Sequence, residues 1–256
     1  MNFAAIIPCR MDSSRLPGKP LKKIGEKTMI EHCYYRTLIS IPKNNIFITS
    51  DNNKIKDMAN SLKANFIKTS KKCKSATERT LEAVKKIELI KKKKIKYVLM
   101  VQGDEPLLIP STLSKSLKFI SKNDKEIVNV ISTFLHKKDF ENKNNVKVVI
   151  NKNKEIIYYS REPIPHNWKN NIYQKKYIQT GIITFKRSAL FQFDKIHFSK
   201  LEKIESIDMN RAIDLGIKIH AIITNKYTFG VDTLEDLFLA KKMLMKDKVT
   251  KNYSYK

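Results

Sequence analysis

The chain has 256 residues, 41% of them hydrophobic, which suffices for one sizeable α/β core with a small lobe. No apolar run approaches ~20 residues, so no membrane-spanning helix is expected. The formal charge of +26 would ordinarily indicate nucleic acid, but seven of the 51 basic residues are Arg and the rest are Lys spread along the whole chain, a pattern that fits solvated faces.

Residues 3–7 form a short apolar run ended by Pro8, the pattern of a buried strand. This N-terminus has no basic region ahead of a long apolar one, so it reads as a strand rather than a signal peptide. Pro17, Gly18 and Pro20 keep residues 8–20 from being helical. Met29, Ile30, Cys33, Tyr34, Thr37 and Leu38 then recur at helical spacing. Residues 46–49 are a strand. Ile55, Met58, Ala59 and Leu62 mark a surface helix packed by one face. Asn65–Lys68 is a strand, 77–90 a helix, and Tyr97–Val101 an apolar strand that runs into Gln102-Gly103-Asp104-Glu105-Pro106. Further strands are expected at 127–132, 146–150, 156–159 and 177–185, and helices near 202–215 and 233–246. Thr233 with Asp236 is a weak capping box for the last helix. One domain over 1–246 is expected, with 247–256 as a frayed tail.

Strands alternating with helices imply a mostly parallel sheet covered on both faces. Ligands of such sheets bind outside the carboxyl ends of the strands. The loops at 8–20 and 102–106 both follow strands, so they should share one edge. Cys9, Cys33 and Cys73 are odd in number and lack metal-ligand spacing, which argues for a reducing, cytoplasmic setting.

Arg is the informative cation in a Lys-rich chain, because its planar fork grips phosphate and carboxylate bidentately. The first loop places Arg10, Arg15 and Lys19 on a proline-stiffened segment between a strand and a helix. Cations and backbone amides so arranged suit a triphosphate, although a solvated basic loop would carry the same residues. It is not a P-loop: Ser13 stands at the first Gly position and Pro20 where Ser or Thr would bind magnesium. In the second loop, Asp104 ends a buried strand, which is costly unless the carboxylate is paired or bound to metal. Asp232 lies at another strand-to-helix junction, where an ordinary acid at a helix N-terminus would read the same way.

An ordered series of motifs adds to this. Arg-x-x-Ser-x-Arg-Leu-Pro-Gly-Lys-Pro-Leu over 10–21 resembles the nucleotide loop of the 3-deoxy-manno-octulosonate (Kdo) cytidylyltransferases. So do Ser75-Ala76-Thr77-Glu78-Arg79, Val101-Gln102-Gly103-Asp104-Glu105-Pro106 and Asn145-Val146-Lys147-Val148-Val149. Tyr159-Ser160-Arg161-x-x-Ile164-Pro165, Leu201-Glu202-x-Ile204-Glu205 and Gly230-Val231-Asp232-Thr233-x-Glu235-Asp236-Leu237 continue the match to about residue 244.

The resemblance implies a cytoplasmic homodimer with a three-layer α/β nucleotidyltransferase fold and a small lobe for dimerisation and sugar binding. It implies CMP transfer from CTP to an acidic sugar for bacterial surface polysaccharide synthesis, with no membrane or nucleic-acid partner. Arg10, Arg15 and Lys19 match phosphate-binding residues, with Arg15, Lys19 and Asp104 in catalytic positions. Ser75, Thr77 and Gln102 lie where cytidine is held. Asp104 and Asp232 match magnesium ligands, and Arg79, Gln179, Glu205 and Asp208 match the sugar pocket. No motif supplies a His base: His32, His136, His166, His197 and His220 are scattered.

The chain departs from the family's best-known form at the sugar. Gln179 stands for His, Ile183 for Tyr, and Asp208-Met209 for Glu-Gln. Kdo, 8-amino-Kdo and a sialic-type 2-keto acid stay open as substrates. A basic nucleic-acid-binding protein and a non-catalytic nucleotide-binding domain are the readings from other classes.

Overall fold

β1 (Phe3–Pro8) alternates strictly between two cores: Ala4 and Ile6 pack on one side of the sheet, Ala5 and Ile7 on the other. Period-2 side chains that are apolar throughout require cover on both faces. The computed structural model describes residues 2–134, 136–169, 175–195 and 199–253.

In chain order the other strands are β2 (Lys23–Ile24), β3 (Lys27–Thr28), β4 (Ile46–Ser50), β5 (Asn65–Lys68), β6 (Tyr97–Val101) and β7 (Ile127–Thr133). β8 (Lys147–Ile150), β9 (Ile156–Ser160), β10 (Tyr177–Lys186) and β11 (Ile219–Thr224) follow. The main sheet runs β11-β7-β10-β6-β1-β4-β5. β1 pairs in parallel with β4 and β6, β4 with β5, and β7 with β11. β10 is antiparallel to both neighbours, so the sheet is mixed but mostly parallel, as expected.

The helices are α1 (Met29–Leu38), α2 (Asn53–Ser61), α3 (Ala76–Lys91), α4 (Pro110–Asn123), α5 (Lys137–Glu141), α6 (Arg187–Gln192), α7 (Lys200–Glu205), α8 (Met209–Asp214), α9 (Leu234–Lys246) and α10 (Lys248–Lys251). Leu81, Val84 and Ile87 of α3, with Ala189 and Met209 of α6 and α8, cover one face of the sheet. Ile30 and Cys33 of α1, Ile55 of α2 and Leu113 of α4 cover the other. Thr28 with Glu31 forms a capping box on α1, and Thr233 with Asp236 forms the expected one on α9. None of the described helices is long and apolar enough to cross a membrane.

Four features differ from the sequence reading. α4 and β11 fill stretches to which no element was assigned: Pro110 sits at the first helical turn, where its missing N–H is no loss, and β11 adds an edge strand. The helix expected over 202–215 is two short helices, because Ser206 adopts φ +54° and ends α7. The small lobe is not a separate body: the β8–β9 hairpin pairs with β10, and Val148, Ile156 and Tyr159 belong to the core under α3. Residues 247–253 dock where a frayed tail is expected. Tyr253 is 2% exposed, and its hydroxyl meets His32 Nδ1 at 2.8 Å and Arg36 Nε at 3.2 Å.

Candidate active site

β1 and β6 are parallel neighbours, with Ile6 opposite Met100, so the loops that follow them leave the same edge side by side. Between them opens a cleft of about 480 Å³. Ten of the expected site residues line it: Arg10, Arg15, Lys19, Ser75, Arg79, Gln102, Asp104, Gln179, Asp208 and Asp232. Thr77 and Glu205 do not. Of the scattered histidines, none that falls within the described residues lines the cleft, and His197 lies outside them.

Lys19 is the centre of the charge arrangement. Its Nζ lies 2.7 Å from Asp104 Oδ2 and 2.8 Å from Asp232 Oδ1. Two distant segments meet here because Val231 N donates to Asp104 O at 2.8 Å, while Leu16, Phe229, Val231 and Leu244 share a small core beneath. The Lys19 side chain is 12% exposed. Burial by itself would lower its pKa, but Asp104 and Asp232 outweigh burial and raise it. The same burial would raise Asp232, yet Lys19, Arg15 and Arg161 hold its carboxyl below the ordinary value. Arg15 reaches Asp232 Oδ2 at 3.0 Å and also donates to Asn144 Oδ1. Asn144 and Arg161 are cleft residues beyond those expected by position; Asn144 precedes the Asn145–Val149 motif, and Arg161 stood in one without an assigned role.

The Asp104 and Asp232 pair fits magnesium. Asp104 Oδ1 is buried and has no hydrogen-bond partner among the described residues, leaving an oxygen directed at no protein donor. No group of three or more His, Cys, Asp or Glu side chains forms a metal cluster among those residues. Magnesium takes one or two protein carboxylates and completes its shell with phosphate oxygens and water, so two suffice.

The remaining expected residues are placed as follows. Ser75 is the N-cap of α3 and accepts from Glu78 N. Arg10 donates to Lys74 O at 3.4 Å. Arg79 is 4% exposed and already paired, with Asp51 at 2.9 Å and Thr69 Oγ1 at 2.7 Å, so it forms the cleft wall as a compensated cation. Thr77 is fully buried and donates its hydroxyl to Asp208 Oδ2 at 2.7 Å, fixing Asp208 at the cleft margin. Glu205 turns away: it accepts from Ser160 Oγ at 2.7 Å and Arg161 N at 2.9 Å. The break at Ser206 is what separates Glu205 from Asp208. Arg211 of α8 is buried and paired with Glu202 at 2.6 Å and Glu78 at 3.1 Å, bracing α7 and α8 against α3.

Ile183 and Met209, at two of the four departures from the familiar form, are fully buried in the core. The altered polar character therefore reaches the cleft at Gln179 and Asp208 only. Gln102 lies against Gly181 so closely that a Cβ there would meet Gln102 Cβ at 2.5 Å. Glu105 is 3% exposed and accepts from Gly181 N; burial pushes its carboxyl up to about 8, and neighbouring Asp104 adds to the shift.

Residues 4–219 match the family described as cytidylyltransferase. The chain is 35% identical to a 3-deoxy-manno-octulosonate cytidylyltransferase of Thermodesulfovibrio yellowstonii, over 93% of this chain and 96% of that protein. It is 29% identical to an 8-amino-3,8-dideoxy-manno-octulosonate cytidylyltransferase of Shewanella baltica, over 96% of this chain and all of that protein. A solved structure of CMP:2-keto-3-deoxy-manno-octonic acid synthetase complexed with CTP superposes with a TM-score of 0.84 at 26% identity, covering 96% of this chain and 99% of that one. With the family matched over most of its length and the cleft formed by that family's motifs, the chain belongs to the cytidylyltransferases.

Proposed function

We propose that the chain transfers CMP from CTP to the anomeric hydroxyl of an acidic 3-deoxy sugar, Kdo or a close derivative, releasing pyrophosphate. The observation that carries this is Lys19 held between Asp104 and Asp232, with Arg10 and Arg15 on the same cleft edge. Three cations so grouped attract a triphosphate and offset part of the charge that develops on a departing pyrophosphate.

Arg10, Arg15 and Lys19 would receive the phosphates, Gln102 and Ser75 the cytidine, and Gln179 and Asp208 the sugar. The anomeric oxygen bonds to the α-phosphorus, the bond to pyrophosphate breaks, and the hydroxyl proton passes to solvent. Asp104 and Asp232 would hold magnesium, which when bound supplies charge neutralisation at the phosphate and a lowered pKa for the attacking hydroxyl. Lys19 would follow the leaving pyrophosphate as a charged ammonium. The same reading carries a homodimer in the cytoplasm, ahead of surface polysaccharide synthesis.

Asp208 favours 8-amino-Kdo as a second reading. It lines the cleft, and Thr77 fixes one of its oxygens, a geometry suited to pairing with a ligand ammonium. Glu205 offers no such partner, being turned to Ser160 and Arg161. The test compares kcat/KM for Kdo, 8-amino-Kdo and a sialic acid in one assay. Preference for either Kdo form supports the substrate class, and preference for 8-amino-Kdo supports the Asp208 pairing. Preference for the sialic acid contradicts the class.

A further inference from the structure

β7 is apolar along Ile127, Val128, Val130 and Ile131, yet Asn129 in its middle is fully buried. A buried amide in such a run is costly unless every polar atom is satisfied. The register shows what Asn129 is for. β10 pairs Gln179 with Ile131 and Ile183 with Asn129, so residues 180–182 lie opposite Val130 alone. This is a special bulge with two extra residues on β10, and its backbone groups have lost their ladder partners on the β7 side.

Each replacement partner is a specific group. Asn129 Nδ2 donates to Thr180 O at 3.1 Å and Ile182 O at 3.0 Å. Glu105 accepts from Gly181 N, and Gly181 O accepts from Gln102 N at 3.0 Å. Thr180 Oγ1 accepts from Ile182 N at 3.3 Å and donates to Val130 O at 2.7 Å. Asn129 is itself oriented by Tyr159, whose hydroxyl donates to Asn129 Oδ1 at 2.9 Å. Tyr159 is fully buried, and its backbone is clasped by Asn210 on α8, which donates to Tyr159 O at 3.0 Å. The chain of bonds thus runs from the Asp104–Glu105 loop through the bulge to the helix next to Asp208. Neither Asn129 nor Tyr159 lines the cleft, but the bulge they hold presents Gln179, Thr180 and Gly181 to it.

We infer that Asn129 and Tyr159 are positioning residues for the acceptor sugar, fixing the β10 bulge so that Gln179 and Gly181 stand in register with Gln102 and Asp208. This deepens, and rests on, the sugar-activating reading above. A bulge beside a site re-aims side chains, and a polar pocket discriminates by where its polar groups stand. The phosphate-holding residues come from other segments, and Gln102 belongs to the loop after β6, so loosening the bulge from its Asn129 side acts on the sugar more than on CTP.

The experiment is steady-state pyrophosphate release by the full chain as wild type, Tyr159→Phe and Asn129→Ala, varying CTP and Kdo separately, with melting temperatures alongside. Tyr159→Phe removes one hydroxyl and keeps the packing. The expected result is a rise in KM for the sugar of roughly five-fold or more, with KM for CTP within about two-fold, as befits one lost neutral hydrogen bond. Asn129→Ala should split the two constants in the same direction and further. If Asn129→Ala does not fold, Tyr159→Phe decides. Unchanged constants in Tyr159→Phe, or equal rises for both substrates, overturn the inference while wild type stays active. A wild type that releases no pyrophosphate with any acidic sugar overturns the parent reading, and this inference with it.

Discussion

Two carboxylates within 3 Å of Lys19 outweigh the burial that opposes its charge, and the three groups stabilise one another. Asp104→Asn or Asp232→Asn should remove most turnover, a loss of several kcal/mol of transition-state stabilisation, while the melting temperature stays close to wild type. Wild-type turnover in either variant would take that residue out of the reaction. Lys19→Ala should lower kcat by ~10²–10³, the usual effect of losing a preorganised group at developing charge. A fall in CTP affinity with kcat unchanged would make Lys19 a binding residue alone. Lys147 gives a pH-dependent prediction. It is fully buried and donates to Asn142 O at 2.7 Å and Arg161 O at 2.6 Å; burial lowers its pKa to about 8. Between about 8 and about 10 the unfolded chain keeps a proton that the folded chain has released, so stability gains with rising pH. Urea midpoints across that range should rise for wild type relative to Lys147→Met; a constant difference would mean that the buried amine keeps its proton and would contradict the lowered pKa. From residue types alone the first loop reads equally as a phosphate site or a solvated basic segment, and the ordered motif series is what separates the two. The burial of Ile183 and Met209 was not legible, because adjacent strand positions face opposite sides of the sheet and adjacent helix positions lie about 100° apart, and a motif alignment does not give the facing.

Elements with strong periodicity were legible nearly to the residue: β5 and β6 fall where the sequence places them. What escaped was set by single backbone positions or by distant partners. Ser206 at φ +54° splits α7 from α8, and nothing in the apolar pattern marks it. The tail after 246 reads as polar and lysine-rich, but Tyr253 and Asp247 find buried partners in α1, more than two hundred residues away. Arg36 is 2% exposed and pairs with Asp247, so removing the tail strands a buried guanidinium. Breaking such a pair costs about 3–5 kcal/mol. A chain ending at Lys246 should melt lower by on the order of 10 °C, given the usual relation of free energy to melting temperature at this size. An unchanged melting temperature would show that the docked tail contributes nothing. Gly181→Ala tests the bulge from the cleft side: its Cβ would overlap Gln102, so CTP and sugar constants should both worsen. Wild-type constants would mean that Gln102 shifts freely.

At the scale of the whole molecule, the +26 charge and the site are separate matters. Lys spreads over the surface, while four of the seven Arg residues, Arg10, Arg15, Arg79 and Arg161, line one cleft. Of the other three, Arg36 and Arg211 pair with Asp247 and Glu202 as buried cations, and the partly exposed Arg187 pairs with Glu88. The topology explains why one edge holds the chemistry: β1 and β6 run parallel, and their following loops supply Lys19 and Asp104, while the strand-to-helix turn before α9 returns Asp232 to the same place. The family assignment and this convergence make one claim, that CTP is cleaved between its α- and β-phosphates by an acidic sugar. The direct measurement is phosphorus NMR of the full chain with CTP, magnesium and Kdo. The account predicts that CTP signals give way to one phosphodiester and pyrophosphate, only when the sugar is present. Loss of CTP to CMP or CDP without the sugar, or no phosphodiester with any of Kdo, 8-amino-Kdo and a sialic acid, would contradict it.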